Sequence, residues 1–165
     1  MAFWRSIQHK YNRWADLSRP ERALLIRAAV LLPMVRLKRY MGFQKVQNLL
    51  ENEPFHGRPL PCCNDMPLQK ARQAARMVSI AANHALFNTS CLDRSIVLCI
   101  LLGRMGIDGD LHLGVKKDGG VFAAHAWVEL NGKVVNDTAD VRDRFAPFPA
   151  PITTAGPYAS TVKPL

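Results

Sequence analysis

Apolar residues recur at three- and four-residue steps through the first two thirds of this chain, and at every second position from Asp110 onward. The change of period divides the sequence into a helical part and a sheet part. Ser18-Arg19-Pro20-Glu21 is a helix start, with Ser as N-cap, Pro in the first turn and Glu three residues on. The run ALLIRAAVLLPMV that follows contains Arg27 and Pro33 and is shorter than the roughly 20 apolar residues of a membrane span. It predicts a buried or interfacial helix with a kink or break at Pro33, and no span. Further helix is expected from Met34 to about Tyr40 and, after Gly42, from Phe43 to Asn52.

Residues 53–64, EPFHGRPLPCCN, hold three prolines and a glycine and read as an irregular linker. Asp65 then caps the helical pattern MPLQKARQAARMVSIAANHAL, whose Leu68, Ala71, Ala75, Val78 and Ala82 share one face. A third helix, CLDRSIVLCILLGRMG, begins at Cys91. The strands LHLGVKK, VFAAHAWVEL and KVVND come next, joined by Asp118-Gly119-Gly120 and by Asn131-Gly132, the strongest short hairpin signal. The tail after Phe145 carries five prolines and little periodicity, and is expected to wrap the surface or stay mobile. These boundaries divide the chain into a basic helical segment (1–60), an α+β core (61–145) and a Pro-rich tail (146–165).

Composition narrows the function classes. Of the formal charge of +9, residues 1–60 hold +7, from 11 Lys/Arg against 4 Asp/Glu. A basic helix face can meet nucleic acid, but no aromatic platform, zinc pattern or phosphate loop accompanies it, so nucleic-acid binding is not expected. Cys62 and Cys63 are adjacent, which is not a zinc spacing. Cys91 and Cys99 lie about 12 Å apart along a helix, too far for a disulfide. MAFWRSIQHKYNRW has no secretory h-region, and a reducing cytoplasm is the expected setting.

The candidate chemistry lies in the third helix and the strands. A thiol becomes a nucleophile by ionising, and a helix N-terminus stabilises the thiolate. Asn88-Thr89-Ser90 supplies caps just before Cys91, which puts its sulfur at that end, while Cys99 deep in the helix reads as core. Alternation places Val121, Ala123, His125, Trp127 and Glu129 on one face of their strand and Phe122, Ala124, Ala126 and Val128 on the other. Asp137 lies twelve positions after His125 across the Asn-Gly hairpin, within reach of a carboxylate–imidazole bond that leaves the other ring nitrogen for sulfur. Asp140 and Asp143 are rival carboxylates in a charged stretch. His9, His56, His84 and His112 have no such partner and read as surface or structural, His84 as a helix-end dipole partner. Trp127 is either core or groove wall. Asn83 and Asn88 are candidates for the oxyanion side chain.

CLDRSIVLCILLGRMGIDGDLHLGV followed by AHAWVELNGKVVND resembles the transglutaminase-like cysteine peptidases of lasso-peptide biosynthesis, which remove the leader from a ribosomally made precursor. The similarity takes in LSRPERALLIRAAVLLPMVRL and covers most of residues 17–140; CL-x-R-S together with AHAWVE is specific. It implies a papain/transglutaminase-like α+β core, a catalytic Cys91, His125 and Asp137, and no metal or other cofactor. With about sixteen residues before Leu17, too few for the winged-helix leader-recognition domain of single-chain members, the split form is expected. Its partners would be the precursor peptide, a separate leader-recognition protein and an ATP-dependent macrolactam synthetase (the lasso cyclase), with the basic helices as a docking face. Acyl transfer to an amine and a non-catalytic peptide-binding adaptor are the alternatives.

Overall fold

The computed structural model describes residues 17–41, 66–118, 121–149 and, as backbone, 152–153. The expected helix 43–52, the linker 53–64, the Asp65 cap, Cys62, Cys63, His9 and His56 lie outside them. Helix α1 is Arg19–Tyr40. At its start the Glu21 carboxylate accepts hydrogen bonds from the Ser18 N–H and hydroxyl, at 2.9 and 2.7 Å. Of the kink or break expected at Pro33, the break does not occur: α1 continues through it to Tyr40. Pro33 and Ala29, whose carbonyl loses its N–H partner, both face outward, where water can serve that carbonyl.

Helix α2 is Met66–Asn83 and α3 is Cys91–Arg104. α2 stops one turn short of the expected Leu86, and His84 and Ala85 close its last turn on the carbonyls of Ile80, Ala81 and Ala82. The alanine face of α2 (Ala71, Ala74, Ala75) lets it lie close to the Leu/Val face of α1. Between them and the sheet, α3 is enclosed from Ile96 to Leu102 without an exposed position, as a helix apolar all round must be.

Strand β1 (Asp110–Asp118) pairs antiparallel with β2 (Val121–Leu130), with Asp118 opposite Val121. Asn131 and Gly132 both take positive φ, 50° and 74°, as a two-residue hairpin needs, and lead into β3 (Lys133–Val134). The expected strand to Asp137 is shorter as a ladder. Val135 N–H still donates to the Val128 carbonyl, but the Val128 N–H then goes to the side-chain Oδ1 of Asn136, at 2.7 Å. A side chain replaces the main chain in the ladder, and the backbone is free to turn away at Asp137.

A short helix α4 (Val141–Arg144) precedes β4 (Ala146–Pro147) and β5 (Ile152–Thr153), and both strands pair with the outer edge of β1. The start of the tail is therefore sheet, in spite of its prolines: Phe148 N–H also donates to the Leu113 carbonyl. The order is β3-β2-β1-β4, with β5 beside β4 on β1. The fold is α+β, with α3 against one face of an antiparallel sheet and α1 and α2 packed beyond it. That face buries Leu111, Ala126, Val128 and Leu130 with the helices; the other buries Trp127 with Val141 and Phe145. No described helix is long and apolar enough to cross a membrane.

Candidate active site

The sulfur is mounted on a helix end that several charges hold in place. Ser90 is the N-cap of α3, accepting from the Asp93 N–H at 3.1 Å, while Asp93 Oδ2 accepts from the Ser90 N–H at 2.9 Å. Cys91 is thus the first helical residue and half-buried; Ser90 takes the Asp93 and Arg94 amides, which leaves the N–H groups of Cys91 and Leu92 without a helical partner. Asp93, two residues from Cys91, is completely buried. Arg39, from the last turn of α1, offsets it: its Nε lies 3.1 Å from Asp93 Oδ1, a link of charge without an aligned hydrogen bond. Arg36 donates to the Asn88 carbonyl and lies over the Phe87 ring, 5.3 Å from its centroid. Arg94 donates to Thr89 Oγ1 and to Asn83 Oδ1, at 3.1 and 3.3 Å. Asn83 is thereby tied into the loop that precedes Cys91, and Asn88 is exposed.

The imidazole is mounted differently. His125 Nε2 lies 2.5 Å from Asp137 Oδ2, and its ring is sandwiched between Phe145 and Trp127, with centroids 4.8 and 6.2 Å away. Asp137 Oδ1 accepts from the Thr138 N–H at 2.6 Å and from Arg144 at 2.7 Å. Burial pushes the Asp137 carboxyl up, but the Thr138 amide, His125 and Arg144 outweigh it and hold the group below its ordinary value. The rival Asp140 is paired with Arg144 at 3.1 Å, and Asp143 is exposed.

Behind the imidazole lies a buried polar layer that sequence reasoning missed. Trp127, fully buried and so core rather than groove wall, donates through Nε1 to Glu129 Oε1 at 2.8 Å. Glu129 is 1% exposed and takes a bidentate grip from Arg142, at 2.7 and 2.5 Å. Burial raises its pKa, and Arg142, Trp127 and His112 together bring it below the usual carboxylate range. His112, expected to be without a partner, lies 3.7 Å from Glu129 and stacks on Trp127. The even spacing of His125, Trp127 and Glu129 was the available signal. Gly114, opposite His125 on β1, is required here: a Cβ would lie 2.9 Å from the Trp127 ring and 3.0 Å from the Ala146 carbonyl.

A knot of hydrogen bonds centred on Ser95 and Asn136 joins the two mounts. Ser95 Oγ donates to the Ala126 carbonyl at 3.0 Å and accepts from Asn136 Nδ2 at 3.0 Å, while Asn136 Oδ1 holds Val128. Cys91 is one turn before Ser95 on the same side of α3, about 6 Å along its axis. His125 is the neighbour of Ala126 and Asp137 the neighbour of Asn136. The knot therefore ties the helix that begins at Cys91 to the strand that carries His125 and the turn that carries Asp137. His125 and Asp137 are hydrogen-bonded; Cys91 Sγ is not bonded to the ring. Such bonds in unliganded enzymes are often long and tighten only with substrate. Cys99, by contrast, is fully buried, and burial together with the nearby Asp110 pushes its thiol up to about 12, which makes it inert. No cluster of metal-ligating side chains occurs among the described residues.

Comparison with known proteins agrees with this architecture. The family model of the transglutaminase-like superfamily matches residues 28–150. The microcin J25-processing protein McjB of Escherichia coli is 33% identical over 75 residues, 46% of this chain and 35% of that protein. The chain thus spans about a third of the length of this relative. No solved structure matches.

Proposed function

This chain belongs to the transglutaminase-like superfamily, and on that premise we propose that it is a cysteine peptidase that removes the leader from a lasso-peptide precursor. The observation that carries the reading is the 2.5 Å His125–Asp137 pair tied, through Asn136 and Ser95, to the helix end that bears Cys91. The CL-x-R-S and AHAWVE motifs that carry the resemblance, and the similarity to a protein named for processing microcin J25, support the substrate class.

In this mechanism His125 Nδ1 takes the proton of Cys91 as sulfur attacks the scissile carbonyl carbon. The oxyanion meets the amides at the N-terminus of α3. The imidazolium then gives its proton to the leaving amine, the C–N bond breaks, and a thioester remains. Water attacks the thioester, giving a proton to Nδ1; sulfur departs and recovers that proton. Asp137 fixes the ring so that Nε2 carries the hydrogen and Nδ1 is the base. The amine released is the new N-terminus of the core peptide, the group that an ATP-dependent cyclase would use next. A separate leader-recognition protein and that cyclase are the proposed partners, and the cytoplasm is the proposed setting. Arg36 and Arg39 hold the loop before Cys91 and the buried Asp93, so a docking face on the basic helix draws on its other cations.

Mass spectrometry of a leader-bearing precursor incubated with this chain, with and without a leader-binding partner, tests the reading. The expected products are free leader acid and free core amine, absent with Cys91→Ala. Cleavage by Cys91→Ala overturns the proposal; a leader joined to an added amine would instead indicate acyl transfer. Alkylation of Cys91 against pH, mapped by peptide, separates the adaptor reading, which predicts a thiol that titrates at its ordinary value near 8.5.

A further inference from the structure

Strand β2 has two unlike edges. One is paired along its whole length with β1. The other meets β3 only at Glu129 and Leu130, is continued by Val135 and Asn136 at Val128, and takes Ser95 at the Ala126 carbonyl. Main-chain groups alternate between edges along an antiparallel strand. The next residues whose N–H and C=O point the same way are Ala124 and Phe122. Neither has a main-chain partner on that side among the described residues. Phe122 is 72% exposed and Val121 70%.

Unpaired edges are ordinarily blunted by proline, a bulge or an inward charge. The stretch VFAA has none of these, and its pairing with β1 is regular throughout. Its row of groups without a partner among the described residues ends at Ala126, where Ser95 closes it, one helical turn from Cys91. The residue between Ala124 and Ala126 is His125. An open edge that stops at the candidate nucleophile presents donors and acceptors every second residue, a spacing that another extended backbone matches and a helix does not.

We infer that the free edge of β2 at Phe122 and Ala124 is the substrate-docking site, where an extended peptide adds as a further strand and carries its scissile bond to Cys91. The inference rests on the peptidase reading and deepens it. The N–H groups of Phe122 and Ala124 donate to peptide carbonyls, and their carbonyls accept from peptide N–H groups. Affinity then comes from the substrate main chain. The substrate class is a polypeptide segment free to extend on both sides of the scissile bond, rather than a folded loop.

A covalent probe tests this without the natural precursor. An epoxysuccinyl group that alkylates cysteine, carrying an alanine tripeptide on each side, is attached to the wild-type chain. Residue-resolved amide exchange is compared with that of the chain labelled by iodoacetamide. The expected result is slowing of roughly tenfold or more at Phe122 and Ala124, with Ala123 and His125, already paired to β1, unchanged. Attachment at Cys91 without slowing at those two amides overturns the inference. So does protection that appears without probe and grows with protein concentration, which would assign the edge to a second copy. Labelling of Cys91 by iodoacetamide but never by the peptide probe overturns the docking site alone; a Cys91 inert to both removes the peptidase reading with it.

Discussion

The sulfur and the imidazole of this site are held by opposite means. Cys91 is placed by charges brought from elsewhere in the chain: Arg39 and Arg36 of α1 act on Asp93 and Asn88, about fifty residues away. His125 is placed by neighbours, a ring on each side, Asp137 at its nitrogen and a buried Glu129–Arg142 pair behind Trp127, all within residues 125–145. A thiolate needs a local field, which charged groups and a helix end supply. A base needs a fixed orientation, which packing and hydrogen bonds supply.

The difference can be broken from either side. Asp137→Asn removes the acceptor that selects the tautomer, and turnover is expected to fall on the order of 10³–10⁴-fold with the melting temperature nearly unchanged; retention of a tenth of wild-type kcat/KM would refute the role given to this carboxylate. Arg39→Met strikes the other mount and removes the cation that the described residues place beside the buried Asp93. Breaking a buried pair costs about 3–5 kcal/mol, and with Arg39 a third exposed about 2 kcal/mol is expected, read as a melting temperature lower by about 4–8 °C. High salt should not rescue it, since the loss is of a buried contact. Gly114→Ala drives a methyl into the Trp127 ring, and about 1–3 kcal/mol of destabilisation is expected. Its kcat should fall further than that of a surface control, because the displaced ring is the one against which His125 stacks.

The smallest effect is at low pH. The folded pKa of Asp137 is depressed, so its contribution to stability is complete above the ordinary carboxylate value and is lost as pH falls through the lower folded value. A carboxyl NMR titration should therefore place the Asp137 midpoint below about 3.9. A midpoint above it would mean that burial outweighs Thr138, His125 and Arg144.

The legibility of each mount follows its locality. Cys91 at a helix start, the Asn131-Gly132 hairpin, the two faces of β2 and the His125–Asp137 pairing were readable, because each depends on residues a few turns or one hairpin apart. That the helix continues through Pro33 was not readable, since whether the orphaned Ala29 carbonyl can reach water depends on which face the fold buries, and that is not a local property. The two short strands of the tail were not readable for a related reason: Ala146 and Pro147 become strand because β1 offers a free edge, not because their own pattern demands it. Ser95 and Asn136, which knot the site together, look in sequence like an ordinary helix serine and a turn asparagine.

Periodicity, capping and turn chemistry thus determined the α+β class, the helix that presents Cys91 and the hairpin that joins His125 to Asp137, because short-range sterics and hydrogen bonding decide them. Only the tertiary structure decided that Arg39 faces Asp93, that His112 and Glu129 lie behind Trp127, and that Phe122 and Ala124 have no main-chain partner on one edge of β2 among the described residues. Those depend on which distant segments fill the space around each group, and burial alters the energy of a charge or an unpaired amide far more than any local sequence preference does.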